Sequence, residues 1–162
     1  MEVTTQCDGT RGRTADFFLP LYGTTHCIYN SRKKSHTMFE FHRNERARQL
    51  RPSLSRSWLL VRANSSEEVF EEAFESEADS IIIDLEDGCP AEEKDAAREQ
   101  VVRMLNSGVV AWVRINAITT EHWWKDVKAL KNVKGLRGVM LATAEHATDI
   151  DRTAAELPPG TP

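Results

Sequence analysis

The chain has 162 residues, 40% of them hydrophobic and 28% charged, with a formal net charge of −4. That length supports one core-bearing domain and is too short for two, and this apolar content with mixed charge excludes a disordered chain. No apolar run approaches the roughly 20 residues of a membrane-spanning helix, so a membrane protein is not expected.

Targeting and redox signals agree with that reading. Residues 17–22 are apolar but short, contain Pro20 and lack a basic start, so no secretory signal is legible. Three cysteines, Cys7, Cys27 and Cys89, are few and widely spaced. That fits a reducing, cytoplasmic setting and no disulfide framework.

Charge divides the chain. Residues 1–56 hold ten Lys/Arg against five Asp/Glu (+5), and residues 57–162 hold eleven against twenty (−9). The acidic part lacks the excess of cations that non-specific nucleic-acid binding needs, so no nucleic-acid partner is expected. Residues 1–56 read as a basic, poorly structured leader, with turn signals at Asp8–Gly12 and no sustained period. Phe39–Leu50 is one short helix candidate there, ended by Pro52. Its Cys7, His26, Cys27, His36 and His42 match no compact metal-ligand spacing, so scattered residues are expected there and not a zinc site.

From Trp58 onward strands and helices alternate. Trp58–Val61 is a short apolar strand. Ser65 and Glu68 form a capping-box pattern, and Val69, Phe70, Ala73 and Phe74 then give one helical stripe. Ser80–Leu85, with three consecutive isoleucines, reads as a strand buried on both faces, as in parallel sheets. Pro90 opens a second helix with Val101, Val102, Met104 and Leu105 inward, and Gly108 suits its left-handed C-terminus. Val109–Ile115 is a third strand and Glu121–Leu130 a third helix. Gly138–Leu141 and Ala147–Leu157 complete a fourth pair. Four β-then-α units predict an α/β fold with a parallel sheet and right-handed crossovers.

In such sheets chemistry gathers beyond the carboxyl ends of the strands. The first strand ends in Arg62-Ala63-Asn64, the second in Asp84-Leu85-Glu86-Asp87-Gly88, the third in Arg114-Ile115-Asn116 and the fourth in Ala142-Thr143. Carboxylates there hold a hard cation directly or through water, and a guanidinium forks onto a substrate carboxylate. The same residues also suit a structural reading, in which Asp84 and Asp87 cap the second helix and Arg114 neutralises them. The residues alone leave both readings open.

Ser57-Trp58-Leu59-Leu60-Val61, Ile82-Ile83-Asp84-Leu85-Glu86-Asp87 and Trp112-Val113-Arg114-Ile115-Asn116 together resemble the start of the citrate lyase beta subunit family, within the HpcH/HpaI aldolase superfamily of CoA-ester lyases. Gly138–Leu141, Glu145–Ile150 and the closing Leu157–Pro162 share the resemblance, which spans roughly 56–162. It implies a TIM barrel, of which about four of the eight parallel β/α units are present here. It also implies Mg²⁺-dependent cleavage of a carbon–carbon bond next to a carbonyl, on an acyl-CoA or oxo-acid substrate.

Residue by residue, Arg114 matches the family's substrate-binding arginine. Glu86 and Asp87 match the acidic pair lining the metal site, mainly as outer-sphere partners of its waters. Arg114, Glu86 and Asp87 are thus the catalytic candidates, with Asn116 beside them as a candidate substrate or water contact. Arg62-Ala63 stands where the family usually has Pro-Gly, and Ala142-Thr143 where it usually has Pro-Lys. The family's direct metal ligands lie on later strands, outside this chain, so a truncated and impaired lyase is expected, whose own Mg²⁺ binding is in question.

Other readings stay in view. A non-catalytic remnant or acyl-CoA- or anion-binding module fits the same motifs. A phosphoacceptor domain needs a lysine near Thr143. His122-Trp123-Trp124 suits packing better than adenine stacking, and Cys89 a small buried residue better than a nucleophile. A four-stranded open sheet leaves edges and an apolar face exposed, which predicts self-association.

Overall fold

A computed structural model describes residues 50–162. The expectations for the leader therefore lie outside the described residues up to residue 49. Residues 50–56 are tied to the sheet that follows. Pro52–Leu54 make a single 3₁₀ turn, Arg56 binds Asp79 through its backbone and guanidinium, and Arg137 donates to the Leu50 carbonyl.

The elements run β1 (Trp58–Arg62), α1 (Glu67–Glu75), β2 (Ser80–Asp84), α2 (Lys94–Asn106), β3 (Ala111–Ile115), α3 (Glu121–Leu130), β4 (Leu136–Leu141) and α4 (Ala147–Glu156). The strands form one parallel sheet in the order β1-β2-β3-β4. Each crossover carries a helix, as parallel pairing requires. All four expected β/α units are present, with strand and helix ends moved by a few residues.

Alternation along the strands separates two faces. Val61, Ile81, Ile83, Ala111, Val113 and Ile115 join Phe70, Phe74, Val101, Met104, Leu105, Val127 and Leu130 in one core. Each of these side chains larger than alanine stabilises the fold by about 1.5–3 kcal/mol when fully buried. The opposite face carries Trp58, Leu60 and Arg62 on β1, in register with Ser80, Ile82 and Asp84 on β2. Trp112 and Arg114 continue it on β3, and Gly138 and Met140 on β4. Trp58 and Trp112 meet edge to face at 5.2 Å on that face, and Leu60 and Met140 are 46% and 40% exposed.

Local chemistry explains most element ends, with two corrections. The expected capping box at Ser65 is not formed. Ser66 is the N-cap of α1, and its side chain makes no capping bond. Ser65 is already engaged through its backbone, donating to the Arg62 carbonyl and accepting from Gln100. In the α1 stripe, Phe70, Ala73 and Phe74 are buried while Val69 is exposed. A turn of 100° per residue carries Val69 off the face centred between Phe70 and Phe74. A capping carboxylate does occur on α4, where Asp149 accepts from the His146 N–H. Gly108, just past α2, has φ +107°, the left-handed backbone that a helix end favours.

Candidate functional site

The carboxyl ends of β1, β2 and β3 converge on Asp84. Asp84 and Arg114 are Cα partners across β2 and β3, on the face opposite the helices. Arg114 grips the carboxylate with two parallel bonds, Nε to Oδ1 and Nη2 to Oδ2, each 2.7 Å. The backbone N–H groups of Glu86 and Gly88 donate to the same two oxygens at 2.9 Å. Asp84 thus receives four donors while 2% exposed.

Burial raises the Asp84 pKa. The Arg114 hydrogen bond, the Glu86 and Gly88 amides and the Arg114 charge outweigh it, so the carboxyl sits below its usual range. The Asp84 hydrogen bond in turn raises the Arg114 pKa.

Glu86 and Asp87 stand above this pair. Their carboxylates lie 3.4 and 3.9 Å from Arg114 Nη2, with Asp87 open to solvent. The turn that presents them requires glycine at 88, because a Cβ there would lie 2.6 Å from Asp84 Oδ2 and 3.1 Å from Arg62 Cγ. The expected trio of Arg114, Glu86 and Asp87 is therefore one cluster. Arg114 Nη1 makes no hydrogen bond among the described residues, its bonds to Asp84 coming from Nε and Nη2.

Asn116 is placed differently from its expected role. It is 4% exposed, and both ends of its amide are bonded within the protein. Oδ1 accepts from Lys94 Nζ at 2.8 Å, while Nδ2 donates to the Leu85 carbonyl and to Asp126 Oδ2. Asn116 braces the turn after β2 from below.

Sequence reasoning missed the rest of that brace. Lys94 Nζ, buried, donates to the Leu85 and Glu86 carbonyls at 2.6 and 2.7 Å. Asp126 accepts from the Asn116 N–H and amide and from Arg98 Nε. One signal was available: a lysine in the first turn of a helix opposes the macrodipole, which invites a local reason for its presence.

Of the secondary candidates, Trp123 and Cys89 are buried and Trp124 is not. Trp123 is buried and donates to Thr153 Oγ1, with Arg152 over its ring at 5.7 Å. Trp124 is exposed. Cys89 is buried, and burial raises its thiol pKa, which disfavours the nucleophilic thiolate. No group of three or more His, Cys, Asp or Glu able to hold a metal occurs among the described residues. No described helix is long and apolar enough to cross a membrane.

The sequence model of the HpcH/HpaI aldolase/citrate lyase family matches residues 56–161. No curated protein matches the chain in sequence. Among solved structures, the chain is similar to CitE from Mycobacterium tuberculosis complexed with the triphosphate group of ATP. That match has 31% identity and a TM-score of 0.52, covering 68% of this chain and 46% of that one. A second CitE structure from that organism, in complex with magnesium, acetoacetate and coenzyme A, matches at 31% identity and TM-score 0.50, over 62% and 37%. RipC from Yersinia pestis matches at 26% identity and TM-score 0.49, over 64% and 41%. The chain spans less than half the length of each, and its open sheet corresponds to part of a TIM barrel.

Proposed function

The chain belongs to the HpcH/HpaI aldolase/citrate lyase family, and from that premise we propose that it is a carbon–carbon lyase unit acting beside a carbonyl of an acyl-CoA or oxo-acid. The observation that carries the reading is the Arg114 cluster at the carboxyl rim of a parallel sheet. Arg114 is oriented by Asp84, keeps Nη1 for a substrate carboxylate or carbonyl oxygen, and has Glu86 beside it. A preorganised guanidinium of this kind stabilises charge that builds on oxygen as the bond breaks. Asn116 and Lys94 fix the turn that carries Glu86 and Asp87.

Magnesium belongs to this reading through the CitE structure that holds it with acetoacetate and coenzyme A. Bound, it would supply Lewis-acid stabilisation of substrate oxygens. Among the described residues no three His, Cys, Asp or Glu gather to ligate the ion together. Glu86 and Asp87 are proposed to meet only the waters of such an ion. We take the chain acting alone to be impaired in turnover on that ground. A binding module that retains the anion site is the alternative. The phosphoacceptor reading ranks last, because it needs a lysine at a later strand end and Ala142-Thr143 stands there instead.

The reading extends to setting and assembly. The cytoplasm is the proposed location, given the sparse cysteines. Self-association through a second copy is proposed to cover the exposed Trp58, Leu60 and Met140 face between the edge strands β1 and β4. Sedimentation velocity of the full chain at micromolar concentration tests this. A concentration-independent monomer would sink it.

The main test is calorimetric titration of the full chain with acetoacetate and with coenzyme A, in Mg²⁺. Binding of acetoacetate that weakens in Arg114→Lys, and Mg²⁺ dependence that weakens in Glu86→Gln, are the expected results. A coupled assay for product release from citryl-CoA separates a lyase from a binding module. Absence of binding to either ligand would overturn both.

A further inference from the structure

We infer that Arg62 is a specificity-determining residue of this rim, receiving the second carboxylate of a four-carbon dicarboxylic oxo acid whose other end lies on Arg114. The inference rests on the substrate class proposed above and assigns a residue to its discrimination.

Three observations support it. Arg62 is the Cα partner of Asp84 across β1 and β2, so Arg62, Asp84 and Arg114 form one row across three strands on the face away from the helices. The stem of Arg62 lies along the turn after β2, where its Cγ closes off the space beside Gly88. Its charge has no internal partner. Arg62 is exposed, and its guanidinium makes no hydrogen bond or ion pair among the described residues.

The neighbouring anions do not fill that role. Each Asp84 oxygen takes one bond from Arg114 and one from a backbone amide. Glu86 and Asp87 lie against Arg114 Nη2. Asn64, two residues further along, has its amide on Glu93. The row therefore holds two guanidinium groups flanking one saturated carboxylate.

Strands about 4.8 Å apart place the Cα atoms of Arg62 and Arg114 roughly 10 Å apart. Two arginines set at that spacing on one face of the sheet suit a short dianion. A monoanion engages only one of them. Guanidinium groups are the usual choice for fork-like carboxylate recognition.

The experiment is calorimetric titration of the full chain in Mg²⁺ with oxaloacetate and with acetoacetate, which differ by one carboxylate in place of a methyl group. The wild type should favour oxaloacetate. Arg62→Gln should weaken oxaloacetate about 10- to 100-fold, the scale of a charge-assisted hydrogen bond, and leave acetoacetate unchanged. Arg62→Lys should recover part of the preference. An unchanged melting temperature in both variants shows that the fold is intact, as expected for an exposed side chain without partners. The inference is overturned if both ligands weaken equally, if the preference survives Arg62→Gln, or if only coenzyme A binding suffers. In those outcomes the lyase reading stands. If the wild type binds neither acid, that reading falls and takes this inference with it.

Discussion

Arg114 and Asp84 are held in a two-point grip across adjacent parallel strands, with both bonds at 2.7 Å. This pair fixes the direction of the guanidinium and, through two further amide bonds to Asp84, the path of the turn that carries Glu86 and Asp87.

Asp84→Asn should therefore be costly. It removes the charge facing Arg114 and replaces an oxygen that accepts two bonds with an amide that donates. A cost of about 3 kcal/mol is expected, the scale for breaking a largely buried ion pair. Urea unfolding followed by far-ultraviolet circular dichroism measures it. A change below about 0.5 kcal/mol, the range of ordinary surface substitutions, would mean the pair does not organise the turn.

Acid should weaken the chain through Asp79 and Asp84. Hydrogen bonds from the Arg56 side chain and backbone lower the Asp79 pKa to about 2, and Asp84 is also lowered. A depressed carboxylate contributes stability that is complete above its unfolded pKa of about 4 and is lost as pH falls through the folded value. The melting temperature should thus drop between about pH 4 and pH 2, with Asp79→Asn flattening that drop. An identical acid profile in Asp79→Asn would contradict this account.

Lys94→Met should loosen the site without touching its charged face. The ammonium serves the carbonyls of Leu85 and Glu86 and the Asn116 amide oxygen. The Asn116 amide oxygen loses its donor, and leaving a buried acceptor unsatisfied costs about 1–3 kcal/mol. Hydrogen exchange should show faster exchange of the Glu86 and Gly88 amides than of those in β3. Unchanged protection of that turn would rule out Lys94 as its brace.

Gly138→Ala should disturb the face opposite the helices. A Cβ at 138 would collide with Cζ3, Cη2 and Cε3 of the Trp112 ring. Trp112 is buried and packs against Trp58, so overpacking by about 1–3 kcal/mol is expected. Tryptophan fluorescence and thermal melting report both effects. A variant with native emission and native stability would show that the ring moves freely.

The order of four strands and four helices was readable from the sequence because its signals are local. Three isoleucines in Ser80–Leu85 mark a strand covered on both sides, and Gly108 marks a helix end that needs left-handed backbone. The strand-end motifs around Asp84 and Arg114 were also readable, and so was their family resemblance. The tertiary structure alone decided which carboxylate Arg114 holds. The register of β2 against β3 sets Asp84 opposite it and leaves Glu86 and Asp87 further out. Asn116 looked like a ligand contact by its position after a strand. Its amide is instead bonded to Lys94 and Asp126, which lie 22 and 10 residues away in sequence. Local pattern determines what a segment becomes, whereas partners across strands and helices follow from register and packing, which no single segment encodes.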